Sequence, residues 1–321
     1  MNPRRIRGLA LLLLGALCGL PDVETAAATP GTPPGVSPAP ASPTAVQTPA
    51  PTKAPAAKTT TRRRRRTRRL PPDGVYSRHA VVLDPVTDEV LFEKSATFPA
   101  PIASLTKLMT AIVLIEMEPD WIRIVDVTYE DLHGGGRTRL LRNERVTIGD
   151  LFHMSLMCSD NVATRVLVRT SGLSLEEFIS RMNRKALELG MKDSRFVECT
   201  GLDERNISTA TDVAHLLRAA AANERLRTIS CTRTYEFKGT WKNRRRLHFV
   251  ANTNRLLYGR YEIRGGKTGF ISEAGYCLAT WIRTGGRDMI AVVLGAPTNA
   301  TRFADVVRLV QKTQKPVAAA P

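Results

Sequence analysis

The 321-residue sequence is poor in cysteine and histidine, poor in acids over its first quarter, and without a long apolar run. Each shortage excludes something. Apart from Cys18, the cysteines are Cys158, Cys199, Cys231 and Cys277, an even number at no metal-like spacing. Three pairings would be possible and the sequence selects none, so buried free thiols and a disulfide both stay open. His79, His133, His153, His215 and His248 are scattered without ligand-pair spacing, and no metal site or other cofactor is expected. The longest apolar run, residues 9–20, is too short to cross a bilayer core of roughly 30 Å as a helix. No internal repeat is visible.

What the first quarter does contain is positive charge and small residues. Arg4, Arg5 and Arg7 precede the apolar run, and Thr25-Ala26-Ala27-Ala28 follows it, the pattern of a cleavable secretory signal peptide over residues 1–28. Lipidation at Cys18 is disfavoured by the bulky Leu17 before it, and the Arg4-Arg5 pair is a weak twin-arginine signal. The mature chain is expected to carry no transmembrane anchor.

Residues 29–58 are almost entirely Pro, Ala, Thr, Val, Gly and Ser, which bury too little apolar surface to offset chain entropy. Seven arginines follow, Arg62 to Arg66 with Arg68 and Arg69. Residues 1–72 hold 12 Lys or Arg against only Asp22 and Glu24, a net +10 of the whole chain's +17, leaving +7 for the remainder. The segment 29–72 therefore reads as a disordered tether. Its arginines could attract any polyanion. Behind an export signal the candidates are anionic envelope polymers and not nucleic acid, the plainer reading being a solvated charge run without a partner.

The folded part is expected over residues 73–313, with a disordered tail at 314–321. Residues 77–83 and 89–94 are β-rich and separated by a turn, and residues 276–284 and 287–294 are joined by Gly285-Gly286, a two-residue hairpin signal. Between them the pattern is helical. Residues 104–117 and 151–158 are apolar helical stretches, Ser174 with Glu177 forms a capping-box signature before a helix to about residue 189, and Thr209 with Asp212 opens another through 222. A closing helix is expected over about 300–311. Strands at both ends with helices between imply a mixed α/β (α+β) domain.

Chemistry enters at Ser104-Leu105-Thr106-Lys107. Three residues apart at a helix start, the hydroxyl and the amine lie on one face within reach of each other. A serine becomes a nucleophile when a base takes its proton, and a lysine serves if desolvation or a neighbouring cation keeps it neutral. On its own, Lys107 would read as a surface lysine. Two further motifs change that: Ser159-Asp160-Asn161 after an apolar helix, and Lys267-Thr268-Gly269 before the terminal hairpin, each occurring once.

In this order the three motifs resemble the set shared by penicillin-binding proteins and class A β-lactamases. Residues 75–310 resemble the low-molecular-mass D-alanyl-D-alanine carboxypeptidases, a family of serine peptidases, also in Pro101-Ile102-Ala103 before the nucleophile, Thr200-Gly201-Leu202, Asn252-Thr253-Asn254 and Ala274-Gly275-Tyr276. The resemblance implies an antiparallel sheet of about five strands flanked by helices with a helical lobe, the β-lactamase/transpeptidase-like fold. It implies that Ser104 attacks, Lys107 is the base, Ser159 relays a proton to the departing D-alanine, and Asn161 holds Lys107 and the substrate amide. Lys267 would act as a charge, Thr268 and Arg302 would bind the terminal carboxylate, and the backbone N–H groups of Ser104 and Phe270, the latter just after Gly269, would receive the oxyanion. Partners would be peptidoglycan stem peptides and β-lactams, at the periplasm or cell envelope or in secreted form.

Two departures from the family pattern add acids near the site: Asp160 inside the second motif, where Gly or Ala is usual, and Glu198-Cys199 where an Asn-Pro pair is usual. They leave the activator of the deacylating water open. Competing readings are a D,D-endopeptidase using the same residues, a β-lactamase needing an activating glutamate such as Glu198 or Glu204, and a non-catalytic wall-binding module.

Overall fold

The computed structural model describes residues 70–314. The expected leader, the tether up to residue 69 with its arginine cluster, and residues 315–321 lie outside the described residues. The first half contains β1 (His79–Leu83), β2 (Val90–Lys94), β3 (Ala100–Pro101), a 3-10 turn at Ala103–Leu105, α1 (Thr106–Ile115), β4 (Ile124–Asp126), α2 (Tyr129–Leu132), β5 (Arg145–Thr147), α3 (Ile148–Met157) and α4 (Asn161–Thr170). The second contains α5 (Leu175–Glu188), β6 (Ile207–Ser208), α6 (Ala210–Ala222), α7 (Glu224–Cys231), β7 (Thr234–Trp241) and β8 (Arg244–Ala251). It ends with β9 (Glu262–Ile271), β10 (Gly275–Thr284), β11 (Arg287–Ala296) and α8 (Asn299–Gln314).

Five strands form an antiparallel sheet in the order β2-β1-β11-β10-β9, so the two ends of the folded segment meet where β1 pairs with β11. The inner strands β1 and β11 are apolar on both faces because helices cover both. Successive residues point to opposite sides of a strand. Accordingly Val81, Leu83, Ile290, Val292 and Leu294 join the core containing α1 and α6, whereas Ala80, Val82, Met289, Ala291 and Val293 pack with Phe303, Val306, Leu309 and Val310 of α8. Gly285 and Gly286 both have positive φ, 58° and 79°, which a two-residue hairpin of this kind requires. Buried Asp305 of α8 accepts hydrogen bonds from Ser77 N at 2.7 Å and Ser77 Oγ at 2.6 Å, fastening the start of the domain to its closing helix.

The expected sheet with a helical lobe is present, with additions. A second sheet, β4-β5-β7-β8, lies within the stretch read as helical, and β3 pairs with β6. The closing helix reaches Gln314 and not 311. Ser174 and Thr209 each accept the backbone N–H three residues on, so both act as N-caps. Neither completes the reciprocal box. Glu177 instead pairs with Arg181, and Asp212 accepts Ser194 Oγ at 2.8 Å. Complete boxes occur at Thr128 with Asp131 and Thr147 with Asp150. Cys158, Cys199, Cys231 and Cys277 are all free thiols. No helix of the described residues is long and apolar enough to cross a membrane.

Candidate active site

Ser104 does not sit inside the helix expected to contain it. It occupies the 3-10 turn before α1, and Lys107 lies in the first turn of α1. Ala103, with φ 49°, bends the chain at this point. The bend is enclosed by two glycines from distant segments. A Cβ on Gly201 (φ 83°) would lie 2.0 Å from Ala103 O, and one on Gly269 would lie 2.9 Å from Ile102 O and 3.1 Å from Ser104 N. Any side chain at either position would displace the nucleophile's backbone, which accounts for glycine in Thr200-Gly201-Leu202 and Lys267-Thr268-Gly269.

Within this frame the side chains form two hydrogen-bonded pairs. Lys107 Nζ donates to Ser104 Oγ at 3.1 Å, to Asn161 Oδ1 at 2.6 Å and to Thr200 O at 2.5 Å. Lys267 Nζ, from β9, donates to Ser159 Oγ at 2.7 Å and to Thr268 O at 2.8 Å. Both lysines are fully buried. Burial disfavours the ammonium form and lowers the pKa of Lys107 to about 8, against the opposing pull of the Glu198 charge. Lys267 is held well below its ordinary value, first by burial and then by repulsion from Lys107 and from Arg302.

Ser159, which supplies the hydroxyl of the second pair, sits on a bend. It follows Cys158 at the end of α3 and has φ 65°, a conformation that costs a non-glycine residue of the order of 1 kcal/mol. The next residue stabilises the bend. Asp160 N donates to Met154 O at 3.1 Å, and its carboxylate caps α4 by accepting Ala163 N at 2.9 Å and also accepts Thr138 Oγ1 at 2.8 Å. Asn161 is thereby placed at the first position of α4, facing Lys107.

The second unexpected acid is also engaged. Glu198 Oε2 accepts Thr200 N and Thr200 Oγ1, both at 2.6 Å, while Oε1 accepts Asn206 Nδ2 at 2.8 Å and Gly201 N. Asn206, fully buried, donates also to Thr106 Oγ1 at 3.2 Å, and Thr110 Oγ1 donates to Cys199 O at 2.7 Å. This lattice fixes the Thr200 carbonyl against Lys107. Sequence reasoning missed Asn206 and Thr110, although Thr106, Lys107 and Thr110 form a polar stripe on an otherwise apolar buried helix. The neighbouring thiols are poor nucleophiles: burial, reinforced by the adjacent carboxylates, pushes Cys158 up to about 11 and Cys199 up to about 12.

On the other side of Gly269, Thr268 Oγ1 lies 2.6 Å from Thr253 Oγ1, and Phe270 stacks on Tyr276 with ring centroids 4.2 Å apart. Arg302, from α8, lies under β9 and β10, where Nη1 donates to Gly269 O at 2.9 Å and Cys277 O at 3.2 Å. Burial lowers its pKa to about 10. The structure thus brings Ser104, Lys107, Ser159, Asn161, Lys267 and Thr268 together, and sets Arg302 behind Gly269.

Residues 66–298, more than half of the chain, match the D-alanyl-D-alanine carboxypeptidase family of peptidases. A D-alanyl-D-alanine endopeptidase of Escherichia coli is 34% identical over 238 residues, covering 73% of this chain and 76% of that protein. A D-alanyl-D-alanine carboxypeptidase of Bacillus subtilis is 32% identical over 244 residues, covering 73% and 61% respectively. The solved structure of penicillin-binding protein D2 from Listeria monocytogenes in its cefotaxime-bound form superposes with a TM-score of 0.63 at 28% identity, covering 75% of this chain and 98% of that one. This chain belongs to the D-alanyl-D-alanine carboxypeptidase family of serine peptidases.

Proposed function

We propose that this chain removes the terminal D-alanine of peptidoglycan stem peptides through an acyl-enzyme on Ser104, and that penicillin acylates the same serine. The observation that carries the reading is the pairing of Ser104 with buried Lys107 beside the pairing of Ser159 with buried Lys267. Neutral Lys107 takes the Ser104 proton as Oγ attacks the D-Ala-D-Ala carbonyl. The backbone N–H groups of Ser104 and Phe270 receive the oxyanion. Ser159 then passes a proton to the departing amine, D-alanine leaves, and water hydrolyses the ester.

The lysines divide the work by their surroundings. A substrate carboxylate arriving at Thr268 on the Arg302 side favours a proton on Lys267, and a cation there lowers the proton affinity of Lys107. Anionic substrate thus helps to prepare its own base. Glu198 and Asp160 are each committed to hydrogen bonds that hold the site together, which leaves neither free to activate a deacylating water as a β-lactamase requires.

Mixing with penicillin should give a stoichiometric, long-lived mass adduct that blocks D-alanine release and is absent from Ser104→Ala. Rapid turnover of penicillin without a lasting adduct would favour the β-lactamase reading. Endopeptidase activity is the second reading, favoured by the E. coli relative's name. Product masses from pentapeptide and cross-linked muropeptides separate the two as loss of one D-alanine or division of the dimer.

The chain is further proposed to be exported by residues 1–28 to the periplasm or cell envelope. Arg62 to Arg69 would retain it on anionic polymers there, in a manner weakened by salt. Deleting residues 29–72 should reduce that retention and leave hydrolysis of small soluble peptides unchanged.

A further inference from the structure

A groove of about 550 Å³ begins at Ser159 and is lined by Thr138, Met154, Val250 and one acid, Asp160, as well as by two arginines, Arg137 and Arg139; neither Ser104 nor Lys107 lines it. Its charges are unbalanced. Arg137 is exposed and, among the described residues, has no hydrogen bond or ion pair. Arg139 donates to Phe249 O at 2.8 Å and has no carboxylate partner among the described residues.

The acids that could have neutralised this pair are occupied. Asp160 caps α4 and holds Thr138. Glu144, fully buried behind the groove, accepts His248 Nε2 at 2.6 Å and Arg246 Nη1 at 3.1 Å. Met154 and Val250 supply an apolar wall, being 2% and 4% exposed. An apolar wall beside two guanidinium groups that have no carboxylate partner among the described residues suits a ligand with an aliphatic stem and a terminal carboxylate, which guanidinium forks receive by charge-assisted hydrogen bonds.

Resting on the peptidase reading above, we propose that this groove is an anion-accepting subsite, in which Arg137 and Arg139 bind a carboxylate on a branch of the peptide substrate. The enzyme would therefore favour acidic peptides over their amidated counterparts. The subsite is separate from Thr268 and Arg302, which lie beyond Lys267 and serve the carboxylate of the departing residue.

The test uses the full chain and two peptides ending in D-Ala-D-Ala. Their preceding lysine carries a glutaryl group on its side-chain nitrogen, with the far carboxyl free in one peptide and amidated in the other. The free acid should be favoured by about fivefold in kcat/KM, mainly through KM, and the preference should shrink as salt is added. Replacing both arginines by alanine should bring the ratio close to one. Because Arg139 also braces Phe249, Arg137→Glu provides a second variant at a position with no internal partner, and it should reverse the preference. Equal treatment of the two peptides by the unaltered enzyme, or an undiminished preference in both variants, would overturn the subsite. Absence of D-alanine release from either peptide would instead overturn the peptidase reading, which the penicillin adduct tests separately.

Discussion

The surroundings of Lys107 and Lys267 show how one fold gives the same side chain two electrostatic characters. Both amines are fully buried, and both contact a serine hydroxyl. Lys107 stands at the start of a helix with three acceptors around it and the Glu198 charge nearby. Lys267 stands on an edge strand with two acceptors and cations for neighbours. Burial acts on both in the same direction. The neighbours decide how far: the Glu198 charge favours the proton on Lys107, whereas Lys107 and Arg302 disfavour one on Lys267, and under the proposed mechanism the carboxylate of a bound substrate reverses that preference.

The comparison predicts its largest effect at the base. Lys107→Ala should slow penicillin acylation by about a thousandfold or more, the usual scale for losing a general base. Acylation at the unaltered rate, measured by stopped-flow or adduct mass, would remove Lys107 from the mechanism.

Lys267→Ala should act less on the attack itself. It should raise KM for anionic peptide and slow the step after substrate binds, by about a hundredfold in kcat/KM. Its pH profiles should separate. Activity rises with pH as Lys107 loses its proton, so the limb in kcat/KM, which reports free enzyme, should remain near pH 8. The limb in kcat should move to higher pH, because the bound complex no longer has a cation opposing the proton on Lys107. Movement of both limbs together would show that Lys267 already carries its charge in the free enzyme.

A smaller effect is expected from Glu198→Gln. Removing an anion that supports protonated Lys107 should shift the rising limb to lower pH. It should also destabilise the protein by about 1–3 kcal/mol, because an amide oxygen cannot replace both carboxylate oxygens at Thr200 N and Gly201 N. An unshifted limb in a folded variant would mean that Glu198 acts only as a brace.

These differences between the lysines were not legible from the chain, although the lysines themselves were. Ser104 and Lys107 are three residues apart, so their pairing could be read from local spacing, whereas Ser159 and Lys267 were joined to them by the resemblance of the three ordered motifs to a known family. Strands β1, β2, β10 and β11 were legible because their β-rich runs and the Gly285-Gly286 turn are local signals, whereas the edge strand β9, which carries Lys267, was not. Nor was the four-stranded sheet. β4 and β5 have three residues each, and the inward face of the Arg-rich β8 carries His248, whose partner Glu144 is 104 residues away. The acids at 160 and 198 could be noticed as unusual, but their tasks depend on backbone N–H groups that a sequence does not display. For the same reason, Arg302 could be associated with the site without revealing that it braces the Gly269 carbonyl.

The most direct test of the account is an NMR titration of the two amines in enzyme labelled with carbon-13 at lysine Cε, assigned through the Lys107→Ala and Lys267→Ala variants. Without ligand, the Lys107 signal should titrate near 8 and the Lys267 signal well below the ordinary lysine value; an anionic, non-hydrolysable D-Ala-D-Ala analogue should raise the second and lower the first. Ordinary titration of both amines near 10.4, or no response of either to the analogue, would contradict the division of roles between them.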